Sequence, residues 1–213
     1  MTSHLPGWLE PLVRLLDSVE AEHLAPRFPH PPAEATPAAV LMVFSDGAGD
    51  DGRDVLLTER AATLRNHARQ ISFPGGKQDP TDRDAEHTAL REAHEEVGLD
   101  PEEVIVFGEL PTLWLPPSNH AVTPVLAYWP DPRRLEPRSP AEVEQVLQTP
   151  LERLLDPRRR YSVVHPSGWT GPAFDIGTDV PLWGFTAGII SRVFERVGWE
   201  RPWDASRTIP LPE

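Results

Sequence analysis

The 213-residue sequence contains no cysteine, which excludes disulfide frameworks, thiolate metal sites and thiol nucleophiles. Positive charge is also scarce: 20 basic residues, Lys77 the single lysine among them, face 33 acidic ones. The resulting net charge of −13 argues against sequence-independent nucleic-acid binding and against docking on an anionic membrane, since both need clustered positive charge. No run of about 18 apolar residues could span a bilayer, and no basic, apolar leader opens the chain. The expectation is a cytoplasmic protein without nucleic-acid or membrane partners. Proline, by contrast, is abundant at 26 residues, but it stands between well-patterned apolar segments and reads as loop punctuation. The length suits one domain over 1–213 with a sizeable core.

Trp8, Leu9, Leu12, Leu15, Leu16 and Val19 recur at helical spacing, which predicts an amphipathic helix within 1–30. Ala38 to Phe44 reads as a buried strand, the Asp/Gly-rich segment after it as a turn, and Val55 to Thr58 as the returning strand of a hairpin. From Asp84 to Val97 the helix formers carry Ala85, Ala89, Leu90, Ala93 and Val97 on one side, with Gly98 placed as a C-terminal cap. Further strands are expected at Val104 to Phe107, Ala121 to Tyr128 and Tyr161 to Val164. Helices are expected at Leu151–Leu155 and at Gly184 to Val197, followed by a tail over 198–213. Strands and helices do not alternate regularly, so the fold class is a mixed-sheet α/β (α+β) domain flanked by helices.

Chemistry concentrates in Arg91-Glu92-Ala93-His94-Glu95-Glu96-Val97-Gly98-Leu99. On a helix Glu92 and Glu96 share one face and Glu95 lies beside them, with Arg91 at i−4 from Glu95 as internal compensation. Two readings are open: a solvated acidic face, or hard oxygen ligands for Mg²⁺ or Mn²⁺. Just upstream, Phe73-Pro74-Gly75-Gly76-Lys77 allows close backbone approach, so the Gly75 carbonyl can join the carboxylates. Arg60, Arg65, Arg69 and Lys77 form a group of cations before the helix, suited to clamping phosphates or to pairing local acids. His94 is expected to be exposed, pointing away from the glutamates. Trp183 and Phe185 are assigned to core packing ahead of base stacking.

From Gly76 to Leu99 the chain resembles the Nudix box, Gly-x5-Glu-x7-Arg-Glu-U-x-Glu-Glu-x-Gly-U with U aliphatic. The stretch from Gly76 to Arg91 is one residue longer than in the box, and the first box Glu is replaced by Asp82 or, counted from the other end, by Arg83. Upstream, Leu56-Leu57-Thr58-Glu59-Arg60-Ala61 and Ile71-Ser72-Phe73-Pro74-Gly75-Gly76, with Arg65 between them, are similar to the extra motif of the coenzyme A pyrophosphatase branch. Arg69 occupies that motif's glycine. The likeness runs over about 38–190.

This resemblance implies a Nudix fold, an α/β/α sandwich, and metal-dependent hydrolysis of coenzyme A and its derivatives to 3′,5′-ADP and 4′-phosphopantetheine. It implies metal ligation by Glu92, Glu95, Glu96 and Gly75, with Mg²⁺ or Mn²⁺ as cofactor. Glu92 would act as base, Arg91 would orient a glutamate, and Glu142, ahead of Glu144, would complete the cluster. Arg60, Arg65 and Lys77 would bind substrate, with His67 as a possible phosphate contact. The alternatives are hydrolysis of another nucleoside diphosphate derivative, such as ADP-ribose, NADH or a deoxynucleoside triphosphate, and a non-catalytic Nudix-like binding module. The N-terminal helix and the tail are candidates for homodimer contacts or for packing over the core.

Overall fold

The computed structural model describes residues 5–27, 30–47, 52–64, 68–165 and 168–211. One turn of 3-10 helix, Gly7–Leu9, runs into α1 (Glu10–Leu16), and α2 (Ala21–Leu24) follows. The expected single N-terminal helix is therefore broken. Glu20 starts a new helix by exchanging capping hydrogen bonds with His23, which competes with continuation of the first. Next come β1 (Thr36–Ser45), β2 (Asp54–Arg60), β3 (Ile71–Ser72), β4 (Gly75–Lys77) and α3 (Ala85–Val97). The chain continues through β5 (Ile105–Glu109), β6 (Leu113–Leu115), β7 (His120–Trp129) and β8 (Val143–Pro150). It closes with α4 (Leu151–Leu155), β9 (Arg160–Val164), β10 (Thr170–Phe174), α5 (Gly184–Arg196) and β11 (Thr208–Pro210).

The main sheet runs β3-β2-β1-β7-β5, with β4 on β1, β6 on β7 and β8 on β2. β1 and β7 are parallel from Thr36↔His120 to Ser45↔Trp129, while the other pairs are antiparallel, so the sheet is mixed. Side chains alternate across β1. Ala39, Leu41 and Val43 pack with Ala89, Ala93 and Val97 of α3, whereas Met42 and Phe44 join the larger core formed with α1, α2 and α5. The sheet thus lies between two helical layers, the α/β/α arrangement expected.

Residues 142–144, where the sequence pattern marks no strand, lead into and begin β8. The strand escapes pattern reading because its pairing with β2 slips by one residue: Glu59 faces Gln145 but Arg60 faces Val143. An extra residue in one strand breaks the period-2 alternation. The tail packs on the domain: β11 pairs in parallel with β9, and Arg160 holds Glu200 in an ion pair while stacking on Trp203. Among the described residues no helix is long and apolar enough to cross a membrane.

Candidate active site

Asp84 caps α3 by accepting the His87 N–H at 2.8 Å, and Gly98, at φ 69, closes it in the left-handed conformation that suits glycine. Small residues, Ala89 and Ala93, line its buried face and let the helix lie close to the sheet. The glycine pair on β4 serves the same close approach. A Cβ at Gly76 would stand 2.6 Å from the Glu92 carboxylate, and one at Gly75 would stand 2.6 Å from the Val40 Cα. Gly76→Ala is accordingly expected to leave the fold intact but displace the Glu92 carboxylate, lowering turnover by about tenfold or more. Steady-state kinetics beside a circular-dichroism melt checks this.

Glu96 is buried, only 4% exposed, and accepts the Gly75 N–H at 3.0 Å. Burial pushes its carboxyl up to about 8; the Gly75 hydrogen bond and the Arg60 charge oppose the shift, and the charges of Glu92 and Glu142 add to it. Glu92 is likewise raised by burial, against the pull of Arg91, which lies 3.0 Å away. Glu95 is exposed and meets Arg91 at 3.2 Å. The structure therefore brings Glu92, Glu96, Gly75, Arg60 and Glu142 together, with Glu95 at the rim. Among the described residues no three His, Asp or Glu side chains already converge as a ready metal cage. Arg91 draws two of the glutamates toward itself, and Glu96 is engaged by the Gly75 N–H.

Gly75 contributes that N–H where a carbonyl ligand was expected. Its carbonyl nevertheless faces the same way. Hydrogen bonds from Leu41 N to Pro74 O and from Gln78 N to Pro37 O flank the β1–β4 pairing, so Gly75 opposite Val40 turns both backbone groups away from β1.

Asp82, not Arg83, supplies the carboxylate that the box spacing left open. Its side chain is fully buried and receives Arg91 Nε at 3.0 Å and a terminal Arg91 nitrogen at 2.9 Å. Thr88 Oγ1 at 3.0 Å and the Asp79 N–H at 2.9 Å complete its shell, with His87 Nδ1 at 3.0 Å. The Arg91 guanidinium holds the Asp82 carboxyl far below the usual carboxylate range. Arg91 also donates to the Lys77 carbonyl at 3.1 Å. It is thus a positioning group that ties α3 to β4. Asp82→Asn removes one member of a largely buried pair, at a cost of about 3 kcal/mol. A thermal melt at pH 7 is expected to fall by roughly 5–10 °C.

Glu142 is exposed and sits at the entry to β8, where its carbonyl accepts the Ala61 N–H at 2.8 Å. The 138–143 segment is docked on the end of α3, as the Arg138 and Ser139 N–H groups both reach the Glu96 carbonyl. This docking puts the Glu142 charge within electrostatic reach of Glu92 and Glu96. His94 corrects the sequence expectation. It is half-buried, with Nε2 2.6 Å from an Arg138 nitrogen and Nδ1 3.3 Å from the Leu99 carbonyl, because the same segment covers it.

Arg60 ends β2 on the α3 side of the sheet, and its buried Nε has no hydrogen-bond partner among the described residues. Lys77 is exposed, and its link to the site is the backbone carbonyl held by Arg91. Arg65 and His67 lie outside the described residues. Phe185 packs at the edge of the larger core as expected, and Trp183 precedes α5 half-buried.

The NUDIX domain family model matches residues 35–165. Nudix hydrolase 15, mitochondrial, of Arabidopsis thaliana is 39% identical over 176 residues, which cover 78% of this chain and 59% of that protein. An uncharacterized Nudix hydrolase NudL of Photorhabdus laumondii is 38% identical over 145 residues, covering 67% of this chain and 76% of that protein. The chain thus spans well under two thirds of its Arabidopsis relative. Two solved structures share the fold. The Nudix hydrolase RenU of M. smegmatis has a TM-score of 0.53 at 20% identity, covering 80% of this chain and 90% of that one. A MutT/nudix family protein of Enterococcus faecalis has a TM-score of 0.53 at 15% identity, covering 92% and 76%. With the family match extending over most of the sheet and the whole acidic helix, this chain belongs to the Nudix hydrolase family.

Proposed function

We propose that the protein is a divalent-metal-dependent diphosphatase that splits coenzyme A and its derivatives into 3′,5′-ADP and 4′-phosphopantetheine. The observation that carries the reading is that Arg60, on the α3 side of β2, lies within electrostatic reach of Glu96, which links the upstream motif to the acidic helix. The donor set fits a hard cation. A buried glutamate held by one neutral N–H, a second half-buried glutamate and a backbone carbonyl turned toward them offer oxygen ligands, with Arg91 pairing Glu92 and the Arg60 charge acting on Glu96. Glu92, Glu95, Glu96 and the Gly75 carbonyl would hold it, with Glu142 in reach. When bound, Mg²⁺ or Mn²⁺ neutralises the diphosphate and acidifies water.

The chain's own groups do the rest. Glu92, raised toward working pH by its burial, takes a proton from the attacking water. The water oxygen bonds to one phosphorus while the bridging P–O bond breaks, and the second phosphate leaves. Arg60 faces the diphosphate, and Arg91 with Asp82 keeps α3 in register. Incubation of coenzyme A, ADP-ribose, NADH and deoxynucleoside triphosphates with Mg²⁺, products identified by mass, tests the reading. Coenzyme A is expected to be the best substrate; if it is the poorest, the coenzyme A assignment fails. Running the reaction in ¹⁸O water shows which phosphorus is attacked.

A further inference from the structure

After β2 the backbone at Arg69 and Gln70 lies alongside Arg60. Two backbone bonds hold them there: the Arg60 N–H donates to the Gln70 carbonyl at 2.9 Å and the Arg69 N–H to the Arg60 carbonyl at 3.1 Å. Arg69 adopts φ 60, a left-handed conformation that glycine accepts freely and a long side chain does not. Its guanidinium compensates by meeting two acids, Glu59 at 3.5 Å and Asp179 at 3.2 Å. Glu59 is buried on β2 and, by strand alternation, faces away from Arg60; Asp179 belongs to the segment before α5. Two carboxylates on one guanidinium leave that spot negative, so Arg69 is no free cation for phosphate. Arg60, across the backbone pair, keeps a buried Nε with no hydrogen-bond partner among the described residues. The β2–β8 ladder slips at Glu59/Arg60 and by itself fixes the end of β2 weakly.

We propose that Arg69 is a positioning residue: pinned by Glu59 and Asp179, it holds the backbone at Arg69 and Gln70 against the end of β2 so that Arg60 keeps its guanidinium within reach of the carboxylates. This rests on the diphosphatase reading. The test compares Arg69→Ala, Arg69→Gly and Asp179→Asn with the parent and with Arg60→Ala. It measures KM and kcat for coenzyme A and ADP-ribose, the Kd of ADP with Mg²⁺, and the melting temperature. Arg69→Ala and Arg69→Gly are expected to raise KM and Kd about three- to tenfold, the effect of losing a partly exposed charge pair. Turnover is expected to stay within about twofold, and Asp179→Asn to show a smaller shift in the same direction. Arg69→Gly is expected to melt below the parent, because the buried Glu59 loses its cation, but above Arg69→Ala, which keeps the backbone strain, and to add nothing to the KM and Kd shifts in the Arg60→Ala background. An Arg69→Gly protein with unchanged KM and Kd, or with the same effect when Arg60 is absent, overturns the clamp alone. A parent protein that hydrolyses none of these compounds and does not bind ADP overturns the diphosphatase reading and the clamp with it.

Discussion

Glu92→Gln is expected to lower turnover of the diphosphate substrate by about 10²–10⁴-fold, the range for loss of a general base, with little change in KM. The amide has the carboxylate's shape, so the close fit over Gly76 survives while the proton acceptor is lost. Burial raises the Glu92 carboxyl, and a base whose affinity for protons lies nearer the working pH transfers them more effectively. Arg91, 3.0 Å away, keeps the side chain in place in both proteins. Single-turnover kinetics separates this from slow product release. A variant that retains more than about a tenth of parental turnover would remove Glu92 from the role of base.

In metal-free protein, stability is expected to fall as pH rises from about 5 to 9, and Mg²⁺ is expected to restore it. The Glu96 carboxyl has an ordinary value near 4.5 and is pushed up to about 8 in the fold. For an acid raised on folding, the contribution is fully present below the unfolded value and is lost as pH climbs through the folded one. Each unit corresponds to about 1.4 kcal/mol, so the loss amounts to a few kcal/mol. Asp82 works in the opposite sense. Its carboxyl is depressed by Arg91, so its contribution is present above the unfolded value of about 3.8 and disappears as pH falls below it. The metal-free protein should therefore be most stable between these limits. Melts from pH 4 to 9 with and without Mg²⁺, repeated on Glu96→Gln, provide the measurement. The variant should lose the alkaline decline and most of the Mg²⁺ effect. An equal decline in parent and variant would mean that Glu96 is ionised in the free protein and that its burial is relieved by water.

The acidic helix was legible because α3 agrees at every level: an apolar side of small residues, three glutamates on another, and Gly98 at its end. β1 and β2 were legible as continuous apolar runs on either side of a turn-rich segment. β8 was not, since the slip beside Glu59 and Arg60 breaks the alternation that marks a strand, and Glu142 then looked like any loop acid. Spacing left Asp82 and Arg83 as rival replacements for the first box Glu. The choice falls to Asp82 because Arg91, Thr88 and the Asp79 backbone converge on it in space. The exposure expected of His94 failed because the segment covering it lies more than forty positions away, at Arg138.

The sequence by itself determined which donors exist and which of them share a helical face, because a period of 3.6 residues is a local property of the backbone. Only the tertiary structure decided that Glu96 is buried while Glu95 stays in water, that the Arg60 charge reaches Glu96, and that Arg69 holds a conformation glycine would take freely. Those outcomes depend on how β1, β4, β8 and α3 pack together. Burial and distance set the energy of a charge, and neither can be assigned to a residue until its distant neighbours are in place.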